Sequence, residues 1–248
     1  MKLPVLSAAL LLAVPALGAA EGWTGTGELG LAVARGNSES ENLNTKLEFV
    51  NEGRGWTHTF GFAAVRARAE VDGDFDGDGV EESRLELSAN RFQLTASSAY
   101  HVSERASWVG ALRHEDDDFS TYERQSTLSL GYGYKFIDEE ALGLSTELGP
   151  GYRLATRRSD GEDENEAIFR GLLAYRHALT PTTTLENKLL VEAGGDNTFA
   201  QNDFGVSVAM NSRLALKAGL QLRYNSDTEP GIESTDSLTT VNLVYSFK

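Results

Sequence analysis

The chain of 248 residues has no cysteine and only five prolines. Without cysteine it forms neither a disulfide framework nor a thiolate metal site, so its stability must come from burial and hydrogen bonding. Basic side chains are also scarce, because 22 lysine and arginine residues stand against 37 acidic residues, for a net charge of −15. This acidity argues against nucleic acid as a partner, since nucleic-acid binding needs clustered cations.

Long hydrophobic runs are nearly absent as well. One apolar run, from Leu3 to Leu17, follows Lys2 and precedes three small residues at 18–20. This order is typical of a secretory signal peptide, so we expect a signal peptide at 1–20 and one mature domain at 21–248. No later run approaches the roughly 18 apolar residues of a spanning helix, which excludes a helical membrane protein but not a membrane β-barrel.

Apolar and polar side chains alternate along most of the mature chain. From Leu214 to Tyr224 every even position is leucine, alanine or tyrosine, whereas lysine, glutamine and arginine are among the odd positions. Such alternation is longer than in an ordinary strand of about 5–6 residues and suits a strand that crosses a bilayer. Turn signals separate twelve segments of this kind: 23–35, 42–51, 56–70, 84–100, 107–115, 124–136, 142–156, 166–177, 184–193, 203–211, 213–226 and 236–247. The third and fourth change phase, which we interpret as bulges or as strand ends beyond the lipid.

The connections between these segments alternate in length. The short ones are 52–55, 101–106, 137–141, 178–183 and 211–212, and the mostly longer, acidic ones lie around 36–41, 71–83, 116–123, 157–165, 194–202 and 227–235. Outer-membrane barrels have short periplasmic turns, longer outer loops and both termini in the periplasm. The sequence therefore predicts an all-β fold, a transmembrane antiparallel up-and-down β-barrel of about twelve strands.

The aromatic residues support the same orientation. Trp23, Trp56 and Trp108 each begin a segment that leaves the expected periplasmic side. Tyrosines lie near the ends of segments that return there: Tyr100, Tyr134, Tyr175 and Tyr245. Because aromatic rings favour the membrane interface, we expect these residues to form a girdle at one level of the barrel.

Two stretches resemble a known family. The opening Trp23-Thr-Gly-Thr-Gly-Glu-Leu-Gly30, with Gly36-Asn-Ser38, resembles the start of the YdiY-like family of salt-induced outer-membrane proteins of Gram-negative bacteria. The ending Tyr245-Ser-Phe247 resembles the C-terminal signal that the barrel-assembly machinery recognises, although Lys248 follows it here. The resemblance implies export, an outer-membrane location and contact with membrane lipid and lipopolysaccharide, and it implies no activity.

An acidic stretch carries the clearest local motif. Asp72, Asp74, Asp76 and Asp78 alternate with glycine and phenylalanine, and carboxylates spaced in this way wrap around a hard cation such as Ca²⁺ or Mg²⁺. The twelfth position of the loop is Ser83 or Leu85, depending on the register, so the bidentate glutamate of a complete EF-hand loop is missing. The alternatives are a weak divalent-cation site, with no other cofactor expected, and a solvated acidic loop.

The polar face of the strands should line the barrel interior. The predicted pore-lining side chains are Lys46, Arg113, Arg153, Arg170, Arg176, Lys188, Lys217, Arg223, Glu147 and Glu186, with Glu28, Glu48, Glu115 and Glu192 on the same face. They form either a narrow pore whose charge rings set ion preference or paired charges that fill the lumen. Glycines on the inward face are expected to leave room for a pore: Gly30, Gly149, Gly151, Gly205 and Gly219.

The histidines provide little for catalysis. His114 is followed by the acidic residues 115–118, and His101 lies near Ser103 in a short turn. A hydrolase needs a nucleophile and a base in contact, and neither pair makes that contact evident from the sequence. We therefore expect a passive barrel and not an enzyme, either a narrow pore or an envelope-stabilising barrel with cation-binding outer loops. The alternatives are a barrel hydrolase that depends on His114 or His101, and a secreted soluble calcium-binding β-protein.

Overall fold

The computed structural model describes residues 22–34 and 39–247, where twelve antiparallel strands form a single closed barrel. Each strand pairs with its neighbours in sequence, and the first strand pairs with the last. The strands are β1 (Trp23–Ala34), β2 (Ser40–Glu52), β3 (Trp56–Gly73), β4 (Glu82–His101), β5 (Ala106–Asp117), β6 (Tyr122–Asp138), β7 (Leu142–Arg157), β8 (Asp163–Ala178), β9 (Thr183–Ala193), β10 (Thr198–Ala209), β11 (Leu214–Asn225) and β12 (Thr235–Phe247). The predicted fold and strand number are confirmed, and the predicted signal peptide at 1–20 lies outside the described residues.

Closure joins the two ends of the described chain. β1 and β12 pair from Gly25 opposite Phe247 to Leu29 opposite Leu243. Within lipid every backbone N–H and C=O needs a partner inside the protein, and a closed barrel supplies one along the whole ring. In the described ranges, no helix is long and apolar enough to cross a membrane.

The two ends of the barrel differ. The end that carries the connections 53–55, 102–105, 139–141, 179–182 and 210–213 is called the turn end, and β1 begins and β12 ends there. The opposite end, the loop end, carries the end of β1, the beginning of β2 and the connections 74–81, 118–121, 158–162, 194–197 and 226–234. The connections at the loop end were expected to be mostly longer than the turns. The connections 74–81 and 226–234 are long, whereas 118–121 and 194–197 are as short as the turns, because the neighbouring strands continue into the predicted loops.

The phase change in the fourth segment is a β-bulge. Ala67 on β3 lies opposite Ala89, but the next residue, Arg68, lies opposite Leu87, so Ser88 is an extra residue on β4. One inserted residue exchanges the two faces of a strand, which is why the leucines of the fourth segment change from odd to even positions. β3 carries no extra residue, and its exposed Arg66 and Arg68 continue the outward face.

The outward face is apolar and its turn end is aromatic. Leu128, Leu130 and Val241 remain 60–64% exposed, as expected of side chains that meet lipid. At the turn end the Trp56 ring lies 5.0 Å from that of Tyr100, and the Trp108 ring lies 5.6 Å from that of Tyr132. These contacts form an aromatic belt at the level that the sequence predicted.

Candidate functional site: the charged lumen

The candidate functional site is the interior of the barrel. The predicted pore-lining residues all lie on the inner wall, where they form ion pairs or line cavities: Lys46, Arg113, Glu147, Arg153, Arg170, Arg176, Glu186, Lys188, Lys217 and Arg223. Their inward direction follows from the alternation of each strand, because the opposite face meets lipid. Their arrangement along the barrel axis divides the lumen into two zones with different properties.

A cluster of ion pairs crosses the lumen in the half nearer the loop end. We call it the ionic plug and define it as Arg113, Glu115 and Asp117 of β5, Arg153 of β7, Glu192 of β9 and Arg223 of β11. Arg113 Nη2 lies 2.6 Å from Glu192 Oε2, and Arg223 Nη1 lies 3.1 Å from Asp117 Oδ2. Arg223 also pairs with Glu115, and Arg153 donates to the backbone oxygen of Glu192 at 2.9 Å.

The plug closes this level of the barrel. β5 and β11 are six strands apart in a ring of twelve, so they are opposite walls, and Arg223 contacts Glu115 across the full width of the lumen. The exposed fraction is 0% for Glu192, 1% for Arg153 and 2% for Glu115. These groups are almost fully buried, and side chains fill most of the interior at this level.

An aromatic ring packs within the plug. Phe199 of β10 points inward and is fully buried, with the Arg113 guanidinium carbon 4.4 Å from its ring centre and that of Arg223 at 5.3 Å. A guanidinium over an aromatic face is attracted by the ring, and more so without water. Phe199 was not predicted to face the lumen, because the sequence pattern placed this position in a loop.

A polar cavity occupies the half nearer the turn end. Its volume is about 530 Å³, and it extends from Ser145 and Ser246 near the turns to Gln221 near the plug. A second cavity of about 210 Å³ shares part of this lining and reaches Arg113 and Glu192. Together the two cavities, here called the chamber, run from the turn end up to the plug.

Charges in the chamber are paired more loosely than those in the plug. Lys217 Nζ lies 2.7 Å from Glu28 Oε1, whereas Lys188 Nζ lies 3.4 Å from Glu48 Oε2 and half of the Lys188 side chain is exposed. Lys46 lies in the field of four carboxylates, those of Asp203, Glu28, Glu48 and Glu186. Water screens such pairs, so they hold their side chains less firmly than the plug holds its own.

The inward glycines do not widen the lumen, and that expectation was wrong. A Cβ atom at Gly219 would lie 2.8 Å from Thr240 Oγ1, and one at Gly205 would lie 2.7 Å from Lys217 Cε. At Gly151 it would lie 2.9 Å from the Leu128 carbonyl oxygen, and at Gly30 and Gly149 it would also meet neighbouring atoms. Neighbouring side chains and backbone therefore occupy the space that the glycines leave.

The segment 226–234 reaches across the mouth above the plug. Asp227 accepts hydrogen bonds from Tyr122 Oη at 2.9 Å and from Arg157 Nη2 at 2.7 Å, and the Glu229 N–H donates to Thr121 Oγ1 at 3.1 Å. The segment joins β11 to β12, whereas its contacts belong to the far wall at β6 and β7. It forms a strap over the loop end.

The predicted cation ligands are partly brought together. Oxygen atoms of Asp74, Asp76 and Asp78 can lie within 4.8 Å of one another, on the exposed connection between β3 and β4. Hydrogen bonds from the backbone N–H groups of Gly79 and Gly77 hold the pKa of the Asp74 carboxyl below its usual range. Asp72 is not part of this group, because its carboxylate accepts the Ser83 hydroxyl. These groups suit an oxygen-liganded cation, and cation binding stays a prediction.

Each of the four histidines contacts a hydroxyl group, but His101 does not contact Ser103, its expected neighbour. His101 Nε2 lies 2.9 Å from Thr57 Oγ1, whereas Ser103 Oγ accepts backbone N–H groups of its own turn. His114 Nδ1 lies 2.8 Å from Ser126 Oγ on the outward face, a pair that sequence reasoning missed because strand pairing alone brings it together. His58 and Ser98 make the same 2.8 Å contact at the turn end. The same histidine–serine hydrogen bond thus occurs at both ends of the barrel, which indicates that it serves to give polar side chains on the outward face a hydrogen-bond partner.

Residues 27–247 match the model of a protein family described as "Protein of unknown function, DUF481". The chain belongs to this family. A curated relative, "Uncharacterized protein YdiY" of Escherichia coli K12, is 25% identical over 162 residues, which are 65% of this chain and 64% of the relative. This chain thus spans less than two thirds of that relative's length, and the match confirms the predicted resemblance to the YdiY-like family.

A solved structure shares the architecture of this family member. A structure of the NanC porin has a TM-score of 0.51 at 11% identity, with coverage of 91% of this chain and 99% of the porin. The translocator domain of the autotransporter NalP from Neisseria meningitidis has a TM-score of 0.48 at 12% identity, with coverage of 91% and 87%. At this identity the NanC likeness shows the fold alone, that of an outer-membrane barrel.

Proposed function

We propose that the protein is a passive outer-membrane barrel that acts as a narrow channel for small ions or solutes and is closed at rest by the ionic plug. In this proposal residues 1–20 direct export, the turn end faces the periplasm and the loop end faces outward. The orientation is supported by the short turns, the aromatic belt and the position of both strand termini at one end. The protein has no catalytic role in this proposal.

The observation that carries the proposal is the contact between Arg223 and Glu115 above a polar chamber. A permanently sealed barrel has no need of a chamber that begins at the turn end, and an open porin has no ion pairs across its full width. The ion pairs of the plug can separate while the barrel wall stays folded, because backbone hydrogen bonds hold the strands together and do not involve these side chains. The plug thus acts as a closure that can open.

The second candidate is an envelope-stabilising barrel whose lumen never conducts. The paired charges of the plug also fit this role, and the acidic loop end suits cation bridges to lipopolysaccharide phosphates. The two candidates differ in one measurable quantity, the conductance after the plug has been removed.

Planar-bilayer recording of the purified protein tests the channel. The wild type is expected to show low conductance, because Arg223 and Glu115 block the lumen. A double variant, Glu115→Ala with Arg223→Ala, removes one side chain from each of the two opposite walls and keeps the net charge. It is expected to conduct several-fold more than the wild type.

The matched control is Glu48→Ala with Lys188→Ala, which removes an ion pair of the wide chamber and also keeps the net charge. It is expected to leave the conductance near that of the wild type. Folding of each barrel is checked by the change in gel mobility on heating. If folded barrels with the plug removed pass no current, the channel is wrong and the envelope-stabilising role remains.

Contacts of the outer wall are also part of the proposal. The exposed apolar band is expected to meet membrane lipid, and the loop end is expected to meet lipopolysaccharide. Tyr245 and Phe247 lie at the closing strand, where Phe247 pairs with Gly25, and they are the residues expected to be recognised by the barrel-assembly machinery. Deletion of Phe247 should therefore reduce assembly in cells, measured as the fraction of heat-modifiable protein in the outer membrane.

A further inference from the structure

One hairpin extends well beyond the rest of the barrel. β3 and β4 have 18 and 20 residues, and they remain paired up to Gly73 opposite Glu82. On one side, β2 ends its pairing at Ser40 opposite Ala69. On the other side, β5 ends its pairing at Asp117 opposite Arg91. β4 thus continues nine residues past its neighbour, a distance of roughly 30 Å along the strand.

This extension leaves a free strand edge. Beyond Arg91, Asp118 contacts Asn90 on the β5 side: the Asp118 N–H donates to the Asn90 carbonyl oxygen, and Asn90 Nδ2 donates to the Asp118 carboxylate. Among the described residues, no strand pairs with this side of β4 between Glu82 and Ala89. A free edge presents a row of N–H and C=O groups that pair readily with another extended chain.

The hairpin is strongly acidic. From Glu70 to Glu86 it carries eight carboxylates and one guanidinium, that of Arg84. Arg84 offsets only one of these carboxylates, since it pairs with Glu86 and packs over the Phe75 ring at 3.6 Å. The surface around the free edge therefore favours a cationic chain.

We propose that the edge of β4 from Glu82 to Ala89 binds an extended cationic polypeptide segment by strand addition. Main-chain hydrogen bonds to the edge supply the affinity, and the surrounding carboxylates select lysine- and arginine-rich segments. Leu85 and Leu87 lie on one face of the strand, so a segment with alternating apolar and basic residues matches it best. The proposal goes beyond the channel and requires only that the loop end face outward.

A second copy of this chain in the same membrane does not fit the edge. Antiparallel pairing of two identical edges requires a two-fold axis perpendicular to the strands, whereas two barrels in one membrane are related by an axis along the membrane normal. Barrel strands run mainly along that normal, so the two requirements conflict. Parallel pairing would set Glu82, Arg84 and Glu86 beside their own copies, where like charges repel.

A bulge limits the length of strand that can pair with the free edge of β4. The bulge at Ser88 bends β4 where it leaves the barrel wall, and bulges and charges are common devices against edge-to-edge aggregation. Six residues, from Glu82 to Leu87, stay in continuous register with β3 beyond the bulge. This length is sufficient for a short peptide strand and too short for a large sheet.

The test measures the binding of fluorescent peptides to the full-length barrel in detergent micelles by anisotropy. The probe is a ten-residue synthetic peptide of alternating valine and lysine. Two control peptides differ in one property each: one has every backbone amide N-methylated, and the other has glutamate in place of lysine. Loss of the backbone donors is expected to weaken binding by at least about tenfold, and so is reversal of the charge.

Two protein variants locate the site. In the first, residues 70–85 are replaced by Asn-Gly, which joins Ala69 to Glu86 and removes residues 82–85 of the free edge with seven of the eight carboxylates. In the second, Asp160→Asn with Asp163→Asn, acidic groups are removed at the loop end outside the hairpin. The first variant is expected to lose binding, and the second is expected to keep most of it.

Several outcomes would overturn the proposal. Equal binding of the N-methylated peptide would show that charge alone attracts the probe, and full binding by the shortened hairpin would place the site elsewhere. If the shortened barrel fails to fold, Leu85→Pro in the full-length chain removes an N–H that points to the free edge, because Glu70 opposite Leu85 directs its own N–H to Glu39 on the other side. Unchanged binding by this variant also contradicts strand addition. None of these results depends on conductance, so the channel is tested separately.

Discussion

Arg223 on β11 and Glu115 on β5 form an ion pair that joins opposite walls of the barrel. Each side chain is 2% exposed, and Arg113 Nη1 lies 3.5 Å from Glu115 on the side away from Arg223. Two guanidiniums therefore share one carboxylate at the centre of the lumen. This arrangement makes the plug both a closure and a part of the barrel's stability.

Removal of both charges of this ion pair should destabilise the barrel by less than the sum of the two single removals. Arg223→Met leaves Glu115 and Asp117 buried with fewer partners and is expected to cost about 3–5 kcal/mol in the free energy of unfolding. Glu115→Gln is expected to cost a similar amount, and the double variant less than the sum of the two. Urea unfolding in micelles measures the three values.

The exposed pair of Lys135 with Asp138 at the turn end serves as the control for that cycle. Both side chains are about half exposed, so Lys135→Ala is expected to cost at most about 1 kcal/mol. Additive costs in the plug double variant would show that Arg223 and Glu115 are not energetically coupled.

The strap over the mouth should loosen when its anchor is removed. Arg157 joins Glu164 of β8 to Asp227 and Glu229 of the strap, so Arg157→Ala releases three carboxylates from one cation. The expected result is faster cleavage within 226–234 by an added protease, with little change in stability because these groups are partly exposed. Arg84→Ala, which breaks the Arg84 pair with Glu86 on the hairpin, is expected to leave that cleavage rate unchanged.

Calcium should bind the connection between β3 and β4 if the sequence motif is a cation site. Titration calorimetry with Ca²⁺ is expected to show weak binding that Asp74→Asn reduces strongly, because Asp74 supplies one of the three clustered carboxylates. Asp160→Asn, another exposed aspartate of the loop end, is the matched control and is expected to bind like the wild type. Identical titrations of the wild type and Asp74→Asn would leave only a solvated acidic loop.

The outward pair of His114 with Ser126 should have no hydrolytic role. We expect the purified barrel to release no product from phospholipid or from a soluble ester, and we expect His114→Ala to behave like the wild type. His58→Ala is the control, since His58 makes the same contact with Ser98. Hydrolysis that is lost in His114→Ala and Ser126→Ala but kept in His58→Ala would identify an enzyme.

Much of the fold was accessible to sequence reasoning because lipid imposes a strict pattern. A residue on a barrel strand faces either lipid or lumen, so Leu216 and Lys217 reveal their directions by their chemistry. The pattern failed at the start of β10, which begins at Thr198 and not at 203. There Phe199 points inward, so the apolar residue lies on the face where the pattern expects a polar one.

Contacts between distant residues were not accessible in the same way. Glu115 and Arg223 are 108 residues apart, and their separation in sequence gives no indication that they meet. Asp117 was assigned to a loop, although the alternation of Arg113 and Glu115 continues to it. The glycines were interpreted as space for a pore, because sequence shows a missing side chain but not the neighbour that fills its place.

The sequence by itself determined the strands, their number and the inward or outward direction of most side chains, because these follow from local alternation and from the need to satisfy the backbone in lipid. Only the tertiary structure decided which charges meet. Closure of the ring and the register of each pair set β5 opposite β11, and that placement brings Glu115 to Arg223. The same register leaves the edge of β4 free, because neither β5 nor the connection after it is long enough to cover it.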